Sequence, residues 1–478
     1  MKNSLLIQYL SAFSSSEMKS LEAFVLSPYF NTNEEATKLI QYLKRCHPDF
    51  PEKKLSEAKV YRAVWGRNKP TSRKANQLFN RTLSLVEQFV AVEKLQSDSL
   101  LQNQLLLTWQ RHNAATAQVE KSYKESQKIL QKRQIKEPFL YYQDFQIEAL
   151  YYAHSMEQVN RAKQNNLQSV VDKLDAYLLL EKLRYACAGM NIRQIVAADY
   201  ELGELLLQAL SRRSFQHIPL IGIYQLLYKL LSNQAKPAEY LQLKTLLQTH
   251  KAHISRYELR QALAFMLNHQ IRQMQKRPAE SREEILRIYE EMLTEDLLIR
   301  EGYIIHQHFT NVVRIHLLQG YFQKAQAFLE QYANKLKPDI RTDVQTYNLA
   351  NIYFYEGKYA DVIRLINTLS FLDGFYHAQS KVLLLKSYYE QGNEDALNEA
   401  EFKIESFRRH LTRNKHLSDS HRKAFRRFLT LYKQLHRLRY VQLIGGTSET
   451  NLEKFEAQIR DAATAQRAWL LAKVGEFI

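Results

Sequence analysis

The chain has 478 residues, with 67 Lys and Arg against 50 Asp and Glu, a formal net charge of +17, and only 12 Gly, 9 Pro and 2 Cys. That length allows several domains or one extended repeat array, and two cysteines far apart in sequence exclude a disulfide framework and fit a reducing compartment. So little Gly and Pro, set against abundant Leu, Gln, Ala, Lys, Glu and Tyr, is the composition of a helical protein.

The opening, MKNSLLIQYLSAFSSSE, carries a short apolar run that Gln8 and Tyr9 interrupt before a signal-peptide core develops, and it reads as a first helix. Residues 1–97 form an N-terminal helical domain, whose start and stop signals place four helices at about 15–26, 33–46, 55–65 and 71–96. SPYFN at 27–31 marks a helix exit: Pro28 disfavours helix at Ser27, Asn31 opens the next turn, and Phe24, Tyr29 and Phe30 seal the corner. Cys46 and Cys187 fall within helical patterns and read as small buried residues.

Residues 55–83, LSEAKVYRAVWGRNKPTSRKANQLFNRTL, read as a helix, a Gly-containing turn and a second helix carrying Arg67, Lys69, Arg73, Lys74 and Arg81. A DNA-binding helix-turn-helix presents basic residues near the start of its second helix. Two ordinary packed helices explain the same pattern.

From 98 to 302 helical periodicity continues through short links that end on proline: KEP at 136–138, HIP at 217–219, AKP at 235–237 and KRP at 276–278. Brief links make neighbouring helices antiparallel. The most apolar window, IPLIGIYQLLYKLL at 218–231, contains Gln225 and Lys229 and falls short of the ~20 residues a bilayer needs, so no membrane span and a cytoplasmic location are expected. The doublets Tyr141–Tyr142 and Tyr151–Tyr152 read as core aromatics, and no strand pattern stands out.

A worn repeat is visible. YACAG at 185–189, HLLQG at 316–320, YFYEG at 353–357 and YYEQG at 388–392 set an aromatic residue or His four positions before Gly, and the last three glycines are 37 and 35 residues apart. Glycine at such a position ends the first helix of a pair by taking positive φ, and the chain reverses into the second.

These segments resemble the tetratricopeptide-repeat family of 34-residue helical hairpins. In NLANIYFYEGKYADVIRLI at 348–366 the matching residues are Leu349, Ala350, Tyr353, Gly357 and Tyr359; in HLLQGYFQKAQAFLEQYANKLKP at 316–338 they are Gly320, Phe322, Ala325, Leu329 and Pro338. A third unit keeps Tyr388 and Gly392 but has Leu397 where a small residue is usual, and the family's early Trp is missing throughout. The resemblance covers 303–411, and 138–300 by analogy only. It implies an all-α fold: a right-handed α-solenoid of antiparallel helix pairs with an N-terminal helical bundle and C-terminal capping helices. The segments are then 1–97, a divergent helical-repeat region at 98–302, tetratricopeptide-like repeats at 303–411 and basic capping helices at 412–478. The resemblance also implies a protein or peptide partner in a groove lined by the first helices, with Asn311, Arg314, Asn348, Asn351 and Lys381 as exposed polar contacts.

Motifs for catalysis are missing: no Gly-rich phosphate loop, no His pair flanking Glu, no Cys pair at metal spacing and no Ser between glycines. His306 and His308 lie on different faces of a helix, which argues against sharing a metal with His316. His410, His416 and His421 surround a loop whose Arg and Lys would repel a cation. No cofactor, metal or enzymatic activity is expected.

Residues 406–440 hold eleven Lys and Arg against one acid, Asp419, and so supply ten of the seventeen net positive charges. On a helix over 422–439, Ala424, Phe425, Phe428, Leu431, Tyr432, Leu435 and Leu438 share one side, while Arg422, Arg426, Lys433 and Arg437 line the other beside Lys423 and Arg427. Ser418 is the expected cap, with Asp419 in the first turn. Together with Arg408, Arg409, Arg413 and Lys415 upstream, this ridge suits a phosphate backbone or an acidic partner, or it is a solvated face. The terminal ETNLEKFEAQIRDAATAQRAWLLAKVGEFI reads as one final helix whose Trp469, Leu470, Leu471, Val474 and Phe477 fold back on the preceding helix or form a dimer contact, which leaves the oligomeric state open. The expectation is a non-enzymatic protein-interaction scaffold or adaptor. The alternative is a nucleic-acid-associated regulator using the basic C-terminal helix or the unit at 55–83.

Overall fold

A computed structural model describes residues 4–477 apart from 69, 114–115, 158–164, 194–200, 202–214, 216, 275, 370–373, 414–416, 418, 447–449, 463 and 465. Among the described residues there are 22 α-helices, packed largely in adjacent pairs, and none is long and apolar enough to cross a membrane. The chain divides into two compact units. The first comprises Met1–Tyr185, Glu201–Gly222 and Thr249–Ser255; the second comprises Ala186–Tyr200, Ile223–Gln248 and Arg256–Ile478.

The first unit opens with α1 (Leu5–Ser11), α2 (Ser15–Leu26), α3 (Glu34–Lys44), α4 (Glu57–Trp65) and α5 (Ser72–Ser97). Its start signals act as side-chain chemistry. Ser14 and Glu17 form a reciprocal capping box on α2, and Asn33 Oδ1 accepts from Ala36 N at 2.8 Å to cap α3. Asn31, buried in the corner, donates from Nδ2 to Val25 O (3.0 Å), Asn33 O (3.1 Å) and Thr37 Oγ1 (3.0 Å). Phe24 and Phe30 stack at 4.1 Å, but Tyr29 is 88 % exposed, so two aromatics seal this corner rather than three. Leu10, Leu21, Leu39, Ile40 and Val86 are fully buried between these helices. Cys46 is buried in the turn after α3 instead of inside the helix.

A second small core joins α6 (Ser99–Asn113), α7 (Thr116–Lys132) and α8 (Pro138–Glu157) through Leu100, Leu107, Val119 and Ile147. The next helix is α9 (Leu167–Arg193). Pro138 is the first residue of α8, and Pro219, Pro237 and Pro278 likewise open α10 (Pro219–Leu231), α11 (Pro237–His250) and α13 (Pro278–Thr294). Proline is favoured there because its missing N–H would have no helical partner anyway. Between α11 and α13 lies α12 (Arg256–Gln273).

A two-stranded antiparallel hairpin, Ile299–Arg300 with Tyr303–Ile304, follows α13. Its turn residues Glu301 and Gly302 both have positive φ, 53° and 83°, the geometry that matches strand twist in a tight hairpin. Strands of two residues leave no alternating pattern to read.

Helix pairs then succeed one another: α14 (His306–Leu318) with α15 (Phe322–Tyr332), α16 (Arg341–Tyr355) with α17 (Tyr359–Asn367), and α18 (Gly374–Gln391) with α19 (Glu394–Arg413). Gly320, Gly357 and Gly392 close the first helix of each pair at φ 77°, 78° and 68°. At the first two, the amide after the glycine reaches back five residues, Tyr321 N to His316 O and Lys358 N to Tyr353 O, both 2.9 Å, while the glycine amide bonds Leu317 O or Phe354 O. This double closure satisfies carbonyls that the helix end would leave unpaired. At Gly392 a single bond to Tyr388 O does the same. Gly189 behaves differently: it lies inside α9 and ends no helix.

Five residues beyond each glycine stand Ala325, Val362 and Leu397, all fully buried. Leu397 is 0 % exposed where the resemblance calls for a small residue, and burying its larger side chain stabilises by about 1.5–3 kcal/mol. First helices also pack on one another in succession, α14 on α16 and α16 on α18, and α18 packs in turn on α20 (Asp419–Leu443). Asn348 Nδ2 donates to Thr310 Oγ1 at 3.1 Å across the first of these contacts, and Tyr347 meets Tyr376 edge-on at 5.8 Å across the second.

The C-terminal segment is two helices, α21 (Leu452–Asp461) and α22 (Arg467–Val474), where the periodicity suggests one. The chain turns at Gln466, which has φ 61°, and Arg467 donates to Ala462 O across the break. Leu470 and Val474 are buried in one core with Leu384, Tyr389, Phe428 and Tyr432, and Trp469, Leu471 and Phe477 pack against it. The terminal apolar residues thus fold back within the chain.

Candidate interaction surfaces

Of the residues expected to line a first-helix groove, Arg314 is exposed and Asn311, Asn351 and Lys381 are half-buried. Asn348 is 1 % exposed and spends its amide on Thr310 and Val344 O, so it holds helices together and is not a surface contact. Arg314 lies within electrostatic range of Tyr347 and Tyr355, and Asn351 donates to Tyr347 O at 2.8 Å, so these two sit around one tyrosine. Lys381 is elsewhere, beside Lys403, His377 and His410.

A residue that pattern reading passes over lies behind this face. Lys386 on α18 is 7 % exposed, with its ammonium 4.3 Å from the centre of the Phe354 ring and 5.4 Å from that of Trp469; it donates to Gln466 Oε1 at 3.3 Å. Burial pushes its pKa down to about 7, helped by Arg314 and Lys473 and opposed by Glu390. The signal in the sequence is a single Lys inside the apolar run VLLLKSYY. Glu390 accepts from Trp469 Nε1 at 2.7 Å and pairs with Lys473 at 2.8 Å, so a small polar network joins α18 to α22.

The basic C-terminal ridge has the expected buried stripe: Phe425, Phe428, Leu431, Tyr432, Leu435 and Leu438 are at most 4 % exposed. Arg426, Lys433 and Arg437 face out, as do Lys423 and Arg427. Arg422 instead turns in, donating to Asp419 Oδ1 and Leu417 O, both at 3.0 Å, where it steadies the approach to α20. Ser418, Lys415 and His416 lie outside the described residues. Arg408, Arg409 and Arg413 are exposed on α19, alongside α20. Glu405 is within 3.3 Å of Arg408 and 3.9 Å of Lys433, and Arg426 approaches Thr412 Oγ1 at 3.5 Å, so the ridge spans two helices rather than one.

At 55–83 both helices pack on α3. Gly66 turns the chain with φ 65°, Thr71 caps α5, and Arg67, Arg73 and Arg81 are exposed. Lys74 is engaged by Glu35 at 2.7 Å, and Lys69 lies outside the described residues.

The first unit also contains a cavity of about 870 Å³ lined by Leu130, Lys136, Tyr141, Asp144, Lys173 and Phe215, among others. In its wall Lys173 bridges Asp144 (2.7 Å) and Glu148 (2.5 Å), whose side chain is 3 % exposed. Burial alone would raise the Glu148 carboxyl, but the bonds from Lys173, Asn166 and Tyr123 outweigh it and hold the pKa below 4.5. The tyrosine doublets pack nearby, Tyr151 stacking on Tyr123 at 3.9 Å.

Among the described residues no three His, Cys, Asp or Glu converge as a metal site. His308 faces the Tyr289 hydroxyl at 3.4 Å, His316 bonds Val312 O at 2.8 Å, and His306 packs on Tyr376, so the three serve separate contacts. His410 stacks on His377 at 4.3 Å, and His421 lies against Phe375.

No family model, curated protein or solved structure matches the chain.

Proposed function

We propose that the chain is a non-enzymatic interaction scaffold of tetratricopeptide-like helix pairs wound as a right-handed α-solenoid. It holds a protein or peptide partner on the face made by its first helices. The observation that carries this reading is the direct side-by-side packing of α14, α16 and α18, each closed by a positive-φ glycine, with Arg314 and Asn351 gathered around Tyr347. Stacked first helices form a continuous surface that no single pair could offer. A partner would meet polar side chains already fixed by neighbours, so little conformational entropy is lost on binding.

The test is a photo-crosslinking amino acid placed at Asn351 or Lys381 on first helices, and at the exposed second-helix positions Glu330 and Arg364 as controls. One partner captured from the first pair of sites alone, and then bound about ten-fold more weakly when purified and offered to the Arg314→Ala/Asn351→Ala protein, supports the reading. Equal capture from both faces, or affinity untouched by those substitutions, refutes it.

A further inference from the structure

We infer that the outward surface of α19 and α20 is a binding site for single-stranded nucleic acid, in which arginines hold phosphates and Phe402 stacks on a base. This inference is independent of the first-helix groove and concerns a different face of the repeat pairs.

Uncompensated charge is the first observation. Arg409, Arg413, Lys423, Arg426, Arg427 and Arg437 are all exposed, and no ion pair engages any of them among the described residues. Glu405 is committed to Arg408 and Lys433, and Asp419 to Arg422. Five of the six free cations are arginine, whose planar fork matches phosphate oxygens two at a time.

Aromatic placement separates nucleic acid from other polyanions. Phe402 is 72 % exposed, and at about 100° per residue it shares one stripe of α19 with Arg409 and Arg413, seven and eleven positions on. A bare ring in line with unpaired guanidinium groups can take a base on its face while the neighbouring phosphates are neutralised. Such a ring needs an unstacked base, which a duplex does not present. A lipid surface fits less well, because the positions between the cations on the outer face of α20 are the polar Thr430 and Gln434, which leaves a single exposed ring, Phe402, on α19. From Lys423 to Arg437 the ridge runs about 21 Å, enough to meet several phosphates at once.

The experiment titrates the full-length protein into a labelled mixed-sequence single-stranded DNA of about twenty nucleotides across a salt series, with duplex DNA, inorganic polyphosphate, polyglutamate and phosphatidylserine vesicles as parallel probes. Neutralising about five phosphates gives a slope of log affinity against log salt near −3 to −4 on single strands. Phe402→Ala should weaken binding to the single strand about ten-fold and leave polyphosphate binding unchanged, because only a base can stack. Arg409→Glu/Arg413→Glu/Arg426→Glu should abolish both, with an unchanged thermal unfolding curve showing that the exposed substitutions leave the fold intact. The inference fails if the protein does not bind the strand at near-physiological salt, or if the charge reversals have no effect. Loss of polyphosphate affinity equal to that for DNA in Phe402→Ala overturns the stacking role. Binding to duplex, polyglutamate or vesicles as tight as to the single strand reassigns the surface to that partner.

Discussion

Lys386 on α18 and Trp469 on α22 meet as an ammonium beside an indole ring, 5.4 Å from its centre, inside the core that anchors the C-terminal helices. The ring faces of Trp469 and Phe354 attract the cation, and desolvation opposes it. Desolvation dominates, since the pKa falls from 10.5 to about 7 with Arg314 and Lys473 also disfavouring charge and only Glu390 favouring it.

Between pH 7 and 10.5 the unfolded chain therefore keeps a proton on Lys386 that the folded chain has released. Stability rises with pH through that window and is lowest, for this group, below the folded value. Thermal unfolding followed across pH 7 to 10 should show the rise in the native protein. Lys386→Met should flatten it and raise stability at pH 7 by on the order of a few kcal/mol. A Met variant less stable than the native protein at pH 7 would mean that the two rings outweigh burial.

Gly357 tests the helix-pair closure. Its φ of 78° lies in the left-handed region, and a Cβ there would meet nothing within 4 Å, so a side chain costs backbone strain and no clash. Gly357→Ala should lower the unfolding free energy in urea by about 1–2 kcal/mol, and Gly357→Asn by less. An unchanged midpoint in both would remove the closure from the stabilising contacts.

Lys173 and Glu148 form the buried pair in the first unit. Lys173→Met leaves the Glu148 carboxylate enclosed without its cation and should cost about 3 kcal/mol, whereas Glu148→Gln/Lys173→Met should recover part of that loss. The Glu148 carboxyl titrates below 4.5 when folded, so its contribution is complete above that pH and is lost as pH falls through the lower folded value. Acid unfolding monitored by circular dichroism should start at a higher pH in the native protein than in Glu148→Gln, once both are normalised to neutral stability.

Where the sequence announces structure through local chemistry, the reading and the structure agree. Prolines 138, 219, 237 and 278 stand first in their helices, and the glycines at 320, 357 and 392 end theirs, because both effects are decided by one residue's own backbone. Departures come where the outcome rests on side-chain bonds or helix context rather than on one residue's own backbone. Gly189 stays helical inside α9, Arg422 is drawn inward by Asp419 and Leu417, and the C-terminal helix breaks where Arg467 finds Ala462 O. The same limit applies to the surfaces. The apolar stripe of α20 is periodic and easily read, but that Asn348 faces Thr310, or that Arg408 and Lys433 share Glu405, depends on how two helices are set side by side.

The closures at Gly320 and Gly357 are made by main-chain atoms of the turn itself. A corner that depends on one glycine asks little of the letters on either side beyond an apolar stripe, and that stripe accepts Ala, Val or Leu at its most enclosed point. An architecture held in this way constrains few positions: the corners and the stripe carry the plan, and the letters between them are left to other uses.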